Sequence, residues 1–160
     1  MAYVMIKKIK RIYIDSTVVG GKFNKRLAEQ TKPFWNAFDR GEIIVIVSDV
    51  LEDELENAPE RANNFYDSLP KSQIERFVST PESDSLAKQY IAEGVIDKSS
   101  LDDCRHIAVA TLANADVLVS WNFKHIVNDD RIRGYNSVNM KLGYPQINIR
   151  TPYEVINDEI

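Results

Sequence analysis

Five consecutive β-branched residues, Ile43-Ile44-Val45-Ile46-Val47, most constrain what this chain can become. A strand that alternates apolar and polar residues can turn one face to water, but this run has no polar face to turn. It predicts a strand buried on both sides, which is the interior of a parallel sheet covered above and below by helices. The rest of the chain must supply those helices, and 160 residues of which 44% are hydrophobic suffice to bury such a core as one domain over residues 1–160.

The flanking segments agree. Arg11-Ile12-Tyr13-Ile14 reads as a second buried strand that stops at Asp15, with Gly20-Gly21 beyond it as a turn. Residues 22–40 space Phe23, Leu27, Phe34, Trp35 and Phe38 as one or two helical pieces, broken near Pro33 and ended before Gly41. Helices are expected over 50–57 and 59–69, the second opened by Pro59, and a strand over 74–78. A helix over 81–93 should stop at Gly94, and Ser100 is placed to cap another that runs to about 114. Residues 117–119 read as a short strand, 123–127 and the region after Asp129 as helical, and 147–149 as a last strand closed by Thr151-Pro152. Strands alternating with helices predict an α/β fold, a three-layer α/β/α sandwich with a mainly parallel central sheet. Ligands of such sheets bind outside the carboxyl ends of the strands, so residues just after strands matter most.

Composition excludes several classes. The single Cys104 rules out an internal disulfide and suggests the cytoplasm. No apolar run approaches the roughly 18 residues of a membrane helix, and the short apolar stretch at residues 1–6 leads into lysines rather than a cleavage site, so neither insertion nor export is expected. The net charge of −4 argues against a protein that holds nucleic acid by bulk attraction. Basic residues do cluster, with Lys7, Lys8, Lys10 and Arg11 near one terminus and Lys124, Arg131, Arg133 and Lys141 near the other; each cluster reads either as a solvated face or as a local basic rim.

The chemistry lies in carboxylates. Asp15 follows the first strand, where it serves equally as a turn or capping residue or as a ligand at the crevice. Glu54 shares a helical stripe with Leu51, Leu55 and Ala58, whereas Glu52, Asp53 and Glu56 point elsewhere. A carboxylate on an apolar stripe costs free energy unless it is paired or coordinated. Asp102 and Asp103 lie about 100° apart on their helix. Asp103, on the side of Ile107 and Ala110, is the inward one; Asp102, on the side of Arg105 and His106, suits the helix N-terminus electrostatically. Ser120-Trp121-Asn122 follows the short strand, and Ser120 and Asn122 offer neutral oxygens there.

Three carboxylates meeting in one crevice repel by about 4 kcal/mol per pair at 4 Å and an effective dielectric near 20, so they require a counter-charge. All-oxygen ligation selects Mg²⁺ or Mn²⁺ over zinc. Cys104 and His106 are two apart on a helix and share no face, which disfavours both a zinc site and a Cys-His nucleophile pair, and no phosphate-binding glycine loop is present.

Taken in order, Tyr13-Ile14-Asp15-Ser16-Thr17-Val18, the run from Ser48 to Leu55, Asp103-Cys104-Arg105-His106-Ile107-Ala108-Val109-Ala110 and the run from Val117 to His125 resemble the four motifs of the PIN-domain ribonucleases, a family that includes toxins of bacterial toxin-antitoxin pairs. The resemblance spans nearly the whole chain. It departs from the usual pattern in the order Ser16-Thr17 and in Asn122, where the family often has Asp. It implies RNA phosphodiester hydrolysis with Asp15, Glu54 and Asp103 holding one or two metal ions and Asn122 positioning metal or water. A small protein antitoxin and a homodimer are the partners implied. Two rivals remain: a catalytically decayed PIN-like module that binds RNA or a protein, with Asn122 marking the decay, and a phosphotransfer receiver domain, which also places acids at strand ends but wants a lysine after a late strand.

Overall fold

The computed structural model describes residues 9–157; Met1 to Lys8, including the basic Lys7 and Lys8 and the short apolar stretch before them, lie outside the described residues. Strand β1 (Lys10–Ile14) lies at the middle of five, between β2 (Ile43–Ser48) and β4 (Val117–Val119), with β3 (Ile74–Phe77) and β5 (Ile149–Arg150) at the two edges. All pairs are parallel, in the order β3-β2-β1-β4-β5, with Ile12 opposite both Val45 and Val117. This order separates the fold from a receiver domain, whose doubly wound sheet runs 2-1-3-4-5.

The period of two in each strand sorts the core into two layers. Tyr13, Ile46, Leu118 and Ile149 face α5 (Pro81–Ala92), α6 (Leu101–Leu112) and α7 (Asp129–Lys141). Ile12, Ile14, Val45, Val47, Val117 and Val119 face α1 (Ser16–Gly21), α2 (Ala28–Asp39), α3 (Asp49–Leu55), α4 (Glu60–Asp67) and α8 (Pro152–Asn157). Nearly every position of β2 is buried, as its composition requires. The result is the three-layer α/β/α sandwich that the sequence predicts. No described helix is long and apolar enough to cross a membrane.

Several local expectations are corrected. Pro33 does not break α2, because Phe34, Trp35 and Phe38 pack into the core and the carbonyl that loses its donor belongs to the exposed Glu29, where water can serve it. Gly20-Gly21 is not merely a turn but the last part of α1. Residues 123–127 form turns rather than a helix, and the last strand is the two-residue β5, displaced from the expected 147–149 and followed by a helix that the sequence did not announce. Ser100 precedes α6, but its side chain accepts no capping hydrogen bond from the helix. Arg11 is structural: its guanidinium pairs with Glu75 at 2.6 Å and caps the carbonyls of Ala113 and Asn114 beyond α6. Of the other basic cluster, Arg131 bonds the Val95 carbonyl, Arg133 pairs with Asp130 and Lys141 with Glu93.

Gly21 is required by close approach. A Cβ there would sit 2.9 Å from both Thr31 Oγ1 and Trp121 Cδ1. Gly21→Val should therefore push Trp121 off its seat and destabilise by about 1–3 kcal/mol, the usual cost of overpacking. Chemical denaturation checks this, and a midpoint equal to wild type would show that the contact yields freely.

Candidate active site

The direction of chain connection reverses between β1 and β4, and the crevice beyond their carboxyl ends is where a doubly wound sheet takes its ligand. Asp15 stands at the end of β1 and Ser120 at the end of β4. Asp15 is buried, and its Oδ1 accepts from the Thr17 amide at 3.0 Å and the Thr17 hydroxyl at 2.5 Å, so that it caps α1. Its Oδ2 accepts from the Ser120 hydroxyl at 2.6 Å, which ties the two strands together at the crevice. The capping role and the crevice position are thus both realised. Burial pushes the Asp15 carboxyl above its ordinary range, against the pull of His106, Ser120 and Thr17.

Ser48 caps α3, and that helix carries Glu54 inward beside Ser16, while Glu52 turns out to Arg76 and Tyr66. Helix α6 presents Asp103 to the crevice; Asp102 is exposed and, among the described residues, pairs only with Arg105. Asn122 donates from Nδ2 to Asp103 Oδ1 at 3.3 Å. The four positions chosen from the sequence therefore converge from four separate segments. Glu54 is close enough for its charge to oppose ionisation of both Asp15 and Asp103.

Two histidines line the crevice as well; the sequence weighs His106 only as a zinc ligand or a partner of Cys104, and it does not place His125. His106 is fully buried, with Nε2 2.6 Å from Glu54 Oε1 and Nδ1 2.7 Å from the Tyr13 hydroxyl, which in turn lies 2.6 Å from Ser48 Oγ. His125 places Nδ1 2.8 Å from Asp103 Oδ2. The sequence groups His106 with the outward Asp102, yet its spacing of three from Asp103 puts it on the inward face, and that spacing is the available signal.

Burial opposes charge on His106, but the Glu54 hydrogen bond and the fields of Glu54, Asp15 and Asp103 outweigh it and raise its pKa. Burial likewise works to raise Glu54, and the His106 bond and charge reverse the sign, holding its carboxyl below the ordinary range. Protonated, His106 donates from both nitrogens, to Glu54 and to Tyr13, leaving the Tyr13 hydroxyl to donate to Ser48. For Asp103 burial prevails over His125 and His106, and its pKa is raised. Burial pushes the Cys104 thiol up to about 12, so it is no nucleophile.

Whether these residues fit a divalent ion has a mixed answer. The groups aimed into the crevice offer carboxylate, hydroxyl and amide oxygens, the donors of a hard cation; Asp15 Oδ1 already accepts twice, but Asp15 Oδ2 and both oxygens of Asp103 each accept one hydrogen bond and keep a second lone pair. Among the described residues, however, no three His, Cys, Asp or Glu side chains are arranged as they stand to hold a metal ion. Imidazole currently answers the two inward carboxylates Glu54 and Asp103. The donor chemistry fits, and for three carboxylates to close on one ion their side chains would have to draw nearer to one another than they stand.

The five-stranded all-parallel sheet between two layers of helices is a PIN-like fold. Three solved structures carry that likeness. VapC20 of Mycobacterium tuberculosis, a sarcin-ricin loop cleaving toxin, matches with a TM-score of 0.55 and 12% identity over 71% of this chain and 91% of its own. VapBC2 of Rickettsia felis, solved with a DNA fragment from its promoter, matches at 0.54 and 14% over 88% and 98%. FitAcB of Neisseria gonorrhoeae matches at 0.55 and 11% over 89% and 98%. No protein-family model matches the sequence, and no curated protein is similar to it in sequence.

Proposed function

We propose that residues 1–160 form one PIN-like domain that is a metal-dependent endoribonuclease, the toxin of a toxin-antitoxin pair. The observation that carries this reading is the convergence of Asp15, Glu54 and Asp103 at the switch point of the sheet. These three would hold Mg²⁺ or Mn²⁺, with Asn122 orienting metal or water. The chemistry such an ion supplies is polarisation of the phosphate, a lowered pKa for the attacking water and neutralisation of charge on the leaving oxygen. The chain's own part is to hold the carboxylates. Thr17 and Ser120 fix the two oxygens of Asp15, His106 fixes Glu54, and Asn122 with His125 fixes Asp103. A divalent charge also reconciles an acidic protein with an anionic substrate.

The fold neighbours support the same reading, since VapC20 is a sarcin-ricin loop cleaving toxin. A small antitoxin covering the acidic crevice, a homodimer and a cytoplasmic location belong to the proposal. A second reading, a decayed module that binds RNA or a protein, is favoured by one observation: Glu54 and Asp103 are each engaged by a histidine, and Asn122 by Asp103.

Purified protein with labelled single-stranded RNA separates the two. The enzyme should cleave in Mn²⁺, stop in excess EDTA and recover on adding Mn²⁺ back. Cleavage that persists in EDTA would remove the metal from the mechanism, and failure both to cleave and to bind Mn²⁺ by calorimetry would leave the decayed module.

A further inference from the structure

The turn that follows β4 holds two side chains that the mechanism above does not use. Phe123 and Lys124 form its tip, both exposed, and the residues on either side of them both grip the same carboxylate: Asn122 donates to Asp103 Oδ1 at 3.3 Å, and His125 Nδ1 lies 2.8 Å from Asp103 Oδ2. The turn is closed on itself as well, because the His125 amide donates to Asn122 Oδ1 at 3.0 Å and the Val127 amide to the Asn122 carbonyl at 2.8 Å. Residues 123 and 124 therefore have a fixed station beside the acidic crevice.

Phe123 leaves 56% of its surface in water, although a large aromatic ring gains free energy by burial. Its support is firm. The Trp121 ring lies 6.0 Å behind it at 52°, is itself buried, donates from Nε1 to Thr31 Oγ1 at 2.9 Å, and fills the space that the missing Cβ of Gly21 leaves. Among the described residues no other exposed ring lies against it. Of the other exposed large apolar side chains, Ile9 precedes β1 and Met140 and Leu142 end α7, which places them at the opposite end of the sheet, while Val78 and Tyr153 follow the two edge strands. One flat ring on a rigid support, rather than a continuous apolar patch, suits a planar ligand better than a protein groove. Beside it Lys124 carries a positive charge that no acid pairs among the described residues, in contrast to Arg11, Arg133 and Lys141.

The geometry points to a nucleotide subsite: the Phe123 ring stacks on a nucleobase of single-stranded RNA next to the phosphate held in the crevice, and Lys124 meets the backbone phosphate of that nucleotide. Aromatic stacking tolerates any base, because every base has a π face, so the subsite selects unpaired RNA over duplex more than it selects sequence. It rests on the ribonuclease reading of the crevice and adds the form of RNA that the crevice accepts.

Both residues are exposed, so their substitution should leave the fold intact, which circular dichroism and a thermal melt verify. Steady-state cleavage of a labelled oligoribonucleotide in Mn²⁺ should show Phe123→Ala raising KM about tenfold or more with kcat nearly unchanged, and Phe123→Trp restoring it. A single abasic nucleotide walked along the RNA should weaken wild type at one position and Phe123→Ala at none. Lys124→Gln should reduce the salt dependence of binding by about one phosphate contact. Anisotropy with the same RNA, in parallel, distinguishes the failures. Cleavage with a KM indifferent to Phe123 overturns the subsite and spares the ribonuclease. RNA binding that depends on Phe123 without cleavage spares the subsite and overturns the ribonuclease. Neither binding nor cleavage overturns both, as does a Phe123→Ala defect confined to association with a protein partner.

Discussion

Asp103→Asn should abolish metal-dependent RNA cleavage while the melting temperature stays close to wild type. The loss should exceed about a hundredfold, since removing even the hydrogen-bond partner of a metal ligand costs 10–100-fold. Asp103 makes a cleaner test than Asp15. Asparagine at 103 keeps an oxygen to accept from Asn122 Nδ2, and its amide nitrogen can donate to His125 Nδ1 in the tautomer that leaves that nitrogen free, so the contacts survive the loss of charge. At position 15 both carboxylate oxygens accept from donors, Thr17 on one side and Ser120 on the other, so an amide group would set a donor against a donor in a buried place. Asp102→Asn is the matched control, because that carboxylate is exposed and among the described residues meets only Arg105; its activity should match wild type. A purified Asp103→Asn protein that cleaves at the wild-type rate would remove Asp103 from the site.

His106→Ala is the variant expected to cost most in stability. It leaves a cavity, strips Glu54 of its partner and leaves the buried Tyr13 hydroxyl with Ser48 alone. Cavity and unpaired polar groups together should cost about 2–4 kcal/mol. For a chain of this size that lowers the melting temperature by very roughly 5–15 °C.

The loss should depend on pH, measured in EDTA so that no ion contributes. His106 has its pKa raised by folding, so its contribution is full below the ordinary imidazole value of 6.5 and fades as pH climbs through the folded value. Glu54 has its pKa lowered, so its contribution is full above the ordinary 4.5 and fades as pH falls through the folded value. The gap between wild type and His106→Ala should therefore be widest between about pH 4.5 and 6.5 and narrow on the alkaline side. A gap that widens steadily with alkaline pH would show that the pair is not ionic.

The sandwich was legible because strands buried on both faces leave few alternatives. Ile43 to Val47 cannot face water, and that alone requires helices on both sides of the sheet. Glu54 and Asp103 were legible for the same kind of reason, each being a charge on a stripe that packing turns inward. What escaped depends on tertiary contact. Pro33 is tolerated because three neighbouring aromatics hold α2 in place, which no local propensity reports. Helix α1 is short and ends in two glycines, one of them demanded by Trp121 from a segment 100 residues away. His106 looked outward when judged against Asp102, and His125 could not be placed without the turn that brings it to Asp103. The counter-charge that the crowded carboxylates require was foreseen as a metal. The structure shows imidazoles paired with two of them, a role that spacing along one helix conveys only in part.

Because β1 lies between β2 and β4, its second neighbour is not synthesised until more than 100 residues after it. Contacts so distant in the chain form late and slowly, since loop closure must precede any gain from pairing. A polypeptide interrupted before Leu101 has Asp15 and Glu54 but neither Asp103 nor the strand that seats Ser120. During translation the four segments that form the crevice therefore cannot meet until Asn122 has been added, so the proposed site assembles as one of the last features of the growing chain.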